Sequence, residues 1–240
     1  MIRARLARYS VWQFRDFVME KGIAIVLIGI CLGYLQLLPL RLAGGPQMDP
    51  EAKARFVTSM ASNFLTIFVL ITLNGMISTD RKQGYYRFMF AKPLSPVSYY
   101  GQLFVVNLAG YLAAVLVLCG AFVLAAGSFD VWNLVLYATL IYVAMGGIGF
   151  LISAISRFDV MTLAIVWLGS RLLRAIFADE GDWRSTAVQV LPPVHKIDGV
   201  ASTLISFGTA PLMDVLWLVG YGTLFLGLGL VVLKYRPLGA

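Results

Sequence analysis

Apolar residues run through this chain in blocks of membrane length, separated by short polar or turn-forming segments. A helix crossing a hydrocarbon core needs roughly 20 mostly apolar residues at about 1.5 Å of rise each. Residues 22–40, 56–79, 102–126, 131–156, 160–178 and 215–233 meet that demand, which predicts six spans. The uncharged run 93–129 is longer than one span, so it reads as an entry turn followed by the third span. Gly127-Ser128-Phe129-Asp130 is then a tight turn into the fourth. Arg171 and Arg174 interrupt the outer half of the fifth. The uncharged stretch 199–213 is too short to cross, and Pro192-Pro193 breaks any helix arriving there. Residues 179–213 are therefore expected to form an outer re-entrant cap.

The first 21 residues follow a different pattern. Leu6, Tyr9, Phe14, Phe17 and Val18 alternate with Arg5, Arg8, Arg15 and Asp16 at roughly helical spacing. This predicts an amphipathic helix lying at the inner interface before the chain turns upward, the alternative being an ordinary basic anchor. The charged stretch is too long for a signal peptide, and no small-x-small cleavage site follows the apolar run.

Composition identifies the solvent. The chain is 60% hydrophobic and 13% charged, with a mean hydropathy of +0.83. Soluble domains carry about 25% charged residues. The expected fold class is all-α: a polytopic membrane protein whose residues 1–240 form a single transmembrane domain. The net charge of +7 does not point to nucleic acid, because the basic residues flank apolar runs instead of clustering on one surface. With the N-terminus inside, 12 of the 19 Lys and Arg residues fall on the cytoplasmic side with only four of the 12 acidic ones. The positive-inside rule thus places both termini in the cytoplasm; the expected location is the cell inner (plasma) membrane. Cys31 and Cys119 both lie in apolar runs and suggest neither a disulfide framework nor a metal site.

The chemistry-bearing segment is Thr79-Asp80-Arg81-Lys82-Gln83-Gly84-Tyr85-Tyr86-Arg87-Phe88-Met89-Phe90-Ala91-Lys92-Pro93-Leu94-Ser95-Pro96, on the cytoplasmic loop 80–98. Thr79 and Asp80 carry side-chain oxygens suited to cap a short helix, Gly84 permits a bend, and the two prolines end any helix between them. Tyr85, Tyr86, Phe88, Phe90 and Arg87 are of the residue types that dominate protein–protein hot spots. The plainer reading is an interfacial turn whose aromatics and arginine sit among headgroups. No Gly-x-x-x-x-Gly-Lys-Ser/Thr loop exists, and no His/Cys/carboxylate set has metal-ligand spacing. His195 is the lone histidine, and nothing marks a base for Ser170. Catalysis by this polypeptide, and any cofactor bound by it, are not expected.

The basic N-terminal helix, the six spans with both ends inside, the loop after span two and the Pro-bearing outer cap together resemble the permease subunits of ATP-binding cassette transporters of the type-2 (exporter) class. In that family the loop after span two reads acidic, basic, Gly, several residues, then Lys/Thr-Pro-Leu-Ser. Here it reads Asp80-Arg81-Lys82-Gln83-Gly84 and then Lys92-Pro93-Leu94-Ser95, with Asp80 where Glu is usual. The resemblance implies a coupling helix within residues 83–94 that docks on a separate ATPase subunit, which itself holds ATP and Mg. It implies that Asp80, Gln83, Gly84, Tyr85, Tyr86, Arg87, Phe88, Phe90, Lys92 and Pro93 make that contact. It also implies a second copy of this chain or a paralogous permease, with spans two and five lining the path.

On the spans themselves, Asn63, Thr66 and Asn74 fall near one stripe of span two, and Trp167, Arg171 and Arg174 share one face of span five. Ionisable groups at membrane depth face an interior or a watery cavity, or else snorkel to the headgroups, and both readings stand for the arginines. Cargo contact and interhelical hydrogen bonding both stand for the Asn/Thr stripe. Asp214 is placed to pair with an arginine of span five. A motor-independent secondary transporter or channel is the alternative class, although no internal repeat is evident. An intramembrane enzyme is disfavoured by the missing acid–base constellation.

Overall fold

The computed structural model describes residues 2–44, 57–58, 63–84, 95–127, 129–156, 159–177 and 194–235. Among the described residues the chain is helical and contains no strand. Helix α1 (Ile2–Phe17) runs through a π-helical segment (Val18–Gly22) into α2 (Ile23–Gly44). There follow α3 (Leu65–Leu73), α4 (Ser78–Gln83), α5 (Pro96–Ala126), α6 (Val131–Ile155), α7 (Asp159–Phe177), α8 (Val194–Phe207) and α9 (Leu212–Tyr235). Among the described residues, four stretches are long and apolar enough to cross a membrane: Tyr9–Gln36, Pro96–Ala125, Val131–Ile155 and Leu212–Tyr235. This is a helical membrane protein.

The local chemistry explains several boundaries. Asp130 Oδ1 accepts from the N–H groups of Trp132 (3.0 Å) and Asn133 (3.2 Å), satisfying donors that the first turn of α6 leaves open. Pro96 occupies the first turn of α5, where its missing N–H costs nothing. That proline starts α5 six residues before the expected entry at Gln102. At 31 residues the helix is about 46 Å long, more than a hydrocarbon core of about 30 Å. Where an upward turn was expected near Gly22, the backbone stays helical, and the wider π turn absorbs the change of phase between α1 and α2.

Helix α6 is the centre of the molecule. It packs against α3, α5, α7, α8 and α9, while α1 and α2 lie on α5. Its closest partner is α9. A Cβ placed on Gly147 would run into the backbone carbonyl of Gly222, and one on Gly222 into the backbone of Val143 and, at 3.0 Å, Ala144 Cα. Small residues let two backbones touch, and in lipid such packing replaces a hydrophobic driving force that tails cannot supply. One heptad further along α9, Gly229 receives the ring of Phe150. The two helices therefore run in the same direction with a fixed register.

The expected second span, 56–79, is interrupted. Its described part comprises helical residues 57–58, two π-helical residues at 63–64 leading into the nine-residue α3, turn residues 74–77 and then the start of α4. Gly75 has φ +72°, a conformation that breaks helical continuity and that a side chain would resist.

Candidate functional site

The joint between α3 and α4 is where polar groups converge. Helix α3 ends with unpaired carbonyls at the negative end of its dipole. Lys21, from the π segment, donates from Nζ to the carbonyl oxygens of Thr72 (2.8 Å) and Asn74 (2.6 Å). Helix α4 begins with unpaired N–H groups, and Ser153 on α6 supplies the acceptor. Its Oγ receives the N–H of Ile77 (3.1 Å) and of Ser78 (3.3 Å), all of them buried. The expectation that Thr79 or Asp80 caps this helix is corrected: the N-cap residue is Ile77, with no cap from within the segment, and Asp80 lies inside the first turn.

Two further ties fasten α4. Arg81 donates from Nη2 to the carbonyl of Ala154 (2.6 Å) and from Nη1 to that of Ile155 (3.3 Å), closing the C-terminal end of α6. The Tyr100 hydroxyl, on α5, donates to Asp80 Oδ2 (3.1 Å). Burial raises the Asp80 carboxyl above the ordinary carboxylate range; the Tyr100 hydrogen bond pulls it back and the nearby charge of Glu20 pushes it up. Gln83 is exposed, and Gly84 ends the helix at φ +71° with open space around its Cα. Tyr85, Tyr86, Arg87, Phe88, Phe90, Lys92 and Pro93 lie outside the described residues.

A second polar cluster sits toward the opposite end of α6, beside Tyr137, about 24 Å along the helix from Ser153. There α8 comes down on α6, with Gly208 close to the Asn133 side chain. Arg171 Nη2 donates to both carboxylate oxygens of Asp198, at 2.7 and 3.0 Å, and its guanidinium lies 4.5 Å from the centre of the Trp167 ring. Lys196 forms an ion pair with Asp214 (2.5 Å) and sits 5.6 Å from the Trp217 ring centre. The expected partner of Asp214 was an arginine of span five; Lys196 of the preceding helix takes that place, because α8 comes between α7 and α9. Burial raises the Asp198 carboxyl, and Arg171 offsets this only in part.

The remaining sequence candidates divide. Trp167 and Arg171 do act as one unit, whereas the Arg174 side chain lies outside the described residues. Thr66 is buried at 3% exposure, while Asn63 and Asn74 are exposed, so the three do not share one environment. Lys21, Tyr100, Ser153 and Asp198 were missed. Their partners lie 20 to 76 residues away, and only Lys21, a charge at the rim of an apolar run, left a mark in the sequence. No family model matches this chain, and neither the curated proteins nor the solved structures contain a match.

Proposed function

We propose that this chain is the transmembrane permease subunit of an ABC transporter of the type-2 exporter class. It moves a small molecule, peptide, lipid or ion by alternating access, driven by a separate ATPase subunit that carries ATP and Mg. In this reading the chain crosses the inner membrane six times with both termini cytoplasmic. The N-terminal helix is interfacial, residues 179–213 form the outer cap, and a second permease copy or a paralogue completes the pathway.

The observation that carries the reading is the placement of the Asp80-Arg81-Lys82-Gln83-Gly84 motif. It sits on a short helix fastened by side chains of α5 and α6 at one end of the bundle, with Gln83 and Gly84 turned outward at the start of the aromatic segment. A soluble motor biases a membrane equilibrium only through contacts that differ between states, and a hairpin anchored this way can carry such a difference. The test is co-purification of the ATPase subunit with tagged chain. Arg87→Glu and Phe88→Ala should each lose most of the bound ATPase while insertion in the membrane is unchanged. Wild-type recovery of the ATPase with both variants would overturn the docking role.

One observation favours the competing class, a motor-independent carrier. The break at residues 74–77 resembles the discontinuous helices that bind ions in secondary transporters. There, however, the freed carbonyls face cargo, whereas here Lys21 already occupies those of Thr72 and Asn74.

A further inference from the structure

Helix α3 and helix α4 are adjacent in sequence and both lie against α6, but the polar groups that anchor them come from different elements. The end of α3 is held by Lys21 of the π segment, which continues into α1 and α2. Helix α4 is held by Ser153 and Arg81 to the end of α6, and by Asp80 to Tyr100 on α5. Between them lie four turn residues with Gly75 at positive φ, a short segment able to absorb a change in backbone angles. Where α3 meets α6, the Leu73 side chain packs against Gly149. Helix α6 in turn is locked to α9 by backbone-to-backbone contact at Gly147 and Gly222.

We propose that α4 moves as one body with α6 and α9, and that residues 74–77 are the hinge about which α3 moves separately. This rests on the transporter reading for its purpose, since a load applied to the loop after α4 then reaches α6 and α9 without passing through α3. Ser153 and Arg81 are the positioning residues on one side of the hinge, and Lys21 is the positioning residue on the other. A push at the loop is therefore delivered to the centre of the bundle, where α6 carries it about 24 Å to the Arg171–Asp198 cluster beside Tyr137.

The experiment measures spin-label distances in full-length chain lacking its native thiols (Cys31→Ser, Cys119→Ser), reconstituted in lipid nanodiscs and diluted with unlabelled chain. One pair joins Lys82→Cys on α4 to Tyr235→Cys on α9; the other joins Lys82→Cys to Ile67→Cys on α3. All three positions are exposed. The α4–α9 pair should give a narrow distribution and the α4–α3 pair a broad one. Ser153→Ala with Arg81→Gln should broaden the α4–α9 pair, and Lys21→Met should broaden only the α4–α3 pair, so the inference does not depend on one variant folding. A narrower α4–α3 than α4–α9 distribution, or no response to either set of substitutions, overturns it. This arm needs no ATPase. A second arm uses the complex co-purified with the ATPase, in ADP and in a non-hydrolysable ATP analogue. The α4–α3 distance should shift by about a helical turn, 5.4 Å, and the α4–α9 distance by less than about one residue's rise, 1.5 Å. The reverse pattern overturns the inference. Failure of any ATPase to co-purify refutes the transporter reading alone, because the first arm decides the hinge without it.

Discussion

Replacing Gly222 by Ala tests the central packing of this molecule against an internal control. On α9, Gly220 and Gly227 have nothing within 4 Å of an added Cβ, whereas Gly222 would press one into the backbone of Val143 and Ala144. All three substitutions gain the same helix propensity, up to about 1 kcal/mol. Only at Gly222 is there an opposing term. The obstructing atoms are backbone, which cannot swing aside as a side chain can, so α6 and α9 must separate. Overpacking of this kind costs about 1–3 kcal/mol. At about 2–4 °C per kcal/mol for a chain of this size, Gly222→Ala should melt about 2–12 °C below Gly220→Ala and Gly227→Ala. The buried Cys119 provides the readout: in a Cys31→Ser background a thiol-reactive dye reports unfolding only when the bundle opens. Melting of all three variants at one temperature would show that α6 and α9 are not in backbone contact, and the register described for them would be wrong.

The joint and the turns make further predictions. The folded state raises the Asp80 carboxyl above its ordinary value of 3.8, so it binds that proton more tightly than the unfolded chain. The stability this contributes is complete below pH 3.8 and is lost as pH rises through the higher folded value. Asp80→Asn still accepts from Tyr100 but carries no charge; it should melt higher than wild type at pH 7 and show a flatter melting profile in the acid range. A lower melting temperature at pH 7 would contradict the assigned balance of burial and hydrogen bonding. Asp130→Ala removes the side-chain acceptor that caps the N–H groups of Trp132 and Asn133 and should cost about 1 kcal/mol, or about 2–4 °C in the same dye assay. An unchanged melting curve would mean that water replaces the cap.

Much of this molecule was legible as sequence because its determinants are local. Long apolar runs demand a lipid environment and internally satisfied backbone, and helices α2, α5, α6 and α9 lie where those runs lie. The turn before α6 follows from Gly127 and Asp130 and needs no knowledge of distant residues. The site was legible only in part: Asp80, Gln83 and Gly84 lie on a short helix or at its end, its cap was assigned to the wrong residues, and the coupling helix expected within residues 83–94 lies, beyond Gly84, outside the described residues.

What tertiary structure alone decided is how distant polar groups meet. Nothing in the local sequence of Ser153 says that it caps a helix starting 75 residues earlier, or that Arg81 closes the end of α6. Asp198 and Lys196 likewise draw Arg171 and Asp214 into pairs that depend on where α8 settles. Hydrophobicity sums along a segment and is indifferent to neighbours, so it predicts which segments become helices. A hydrogen bond or ion pair depends on which faces two helices present to each other, and that is set by packing at positions such as Gly147 and Gly222, once the helices already exist.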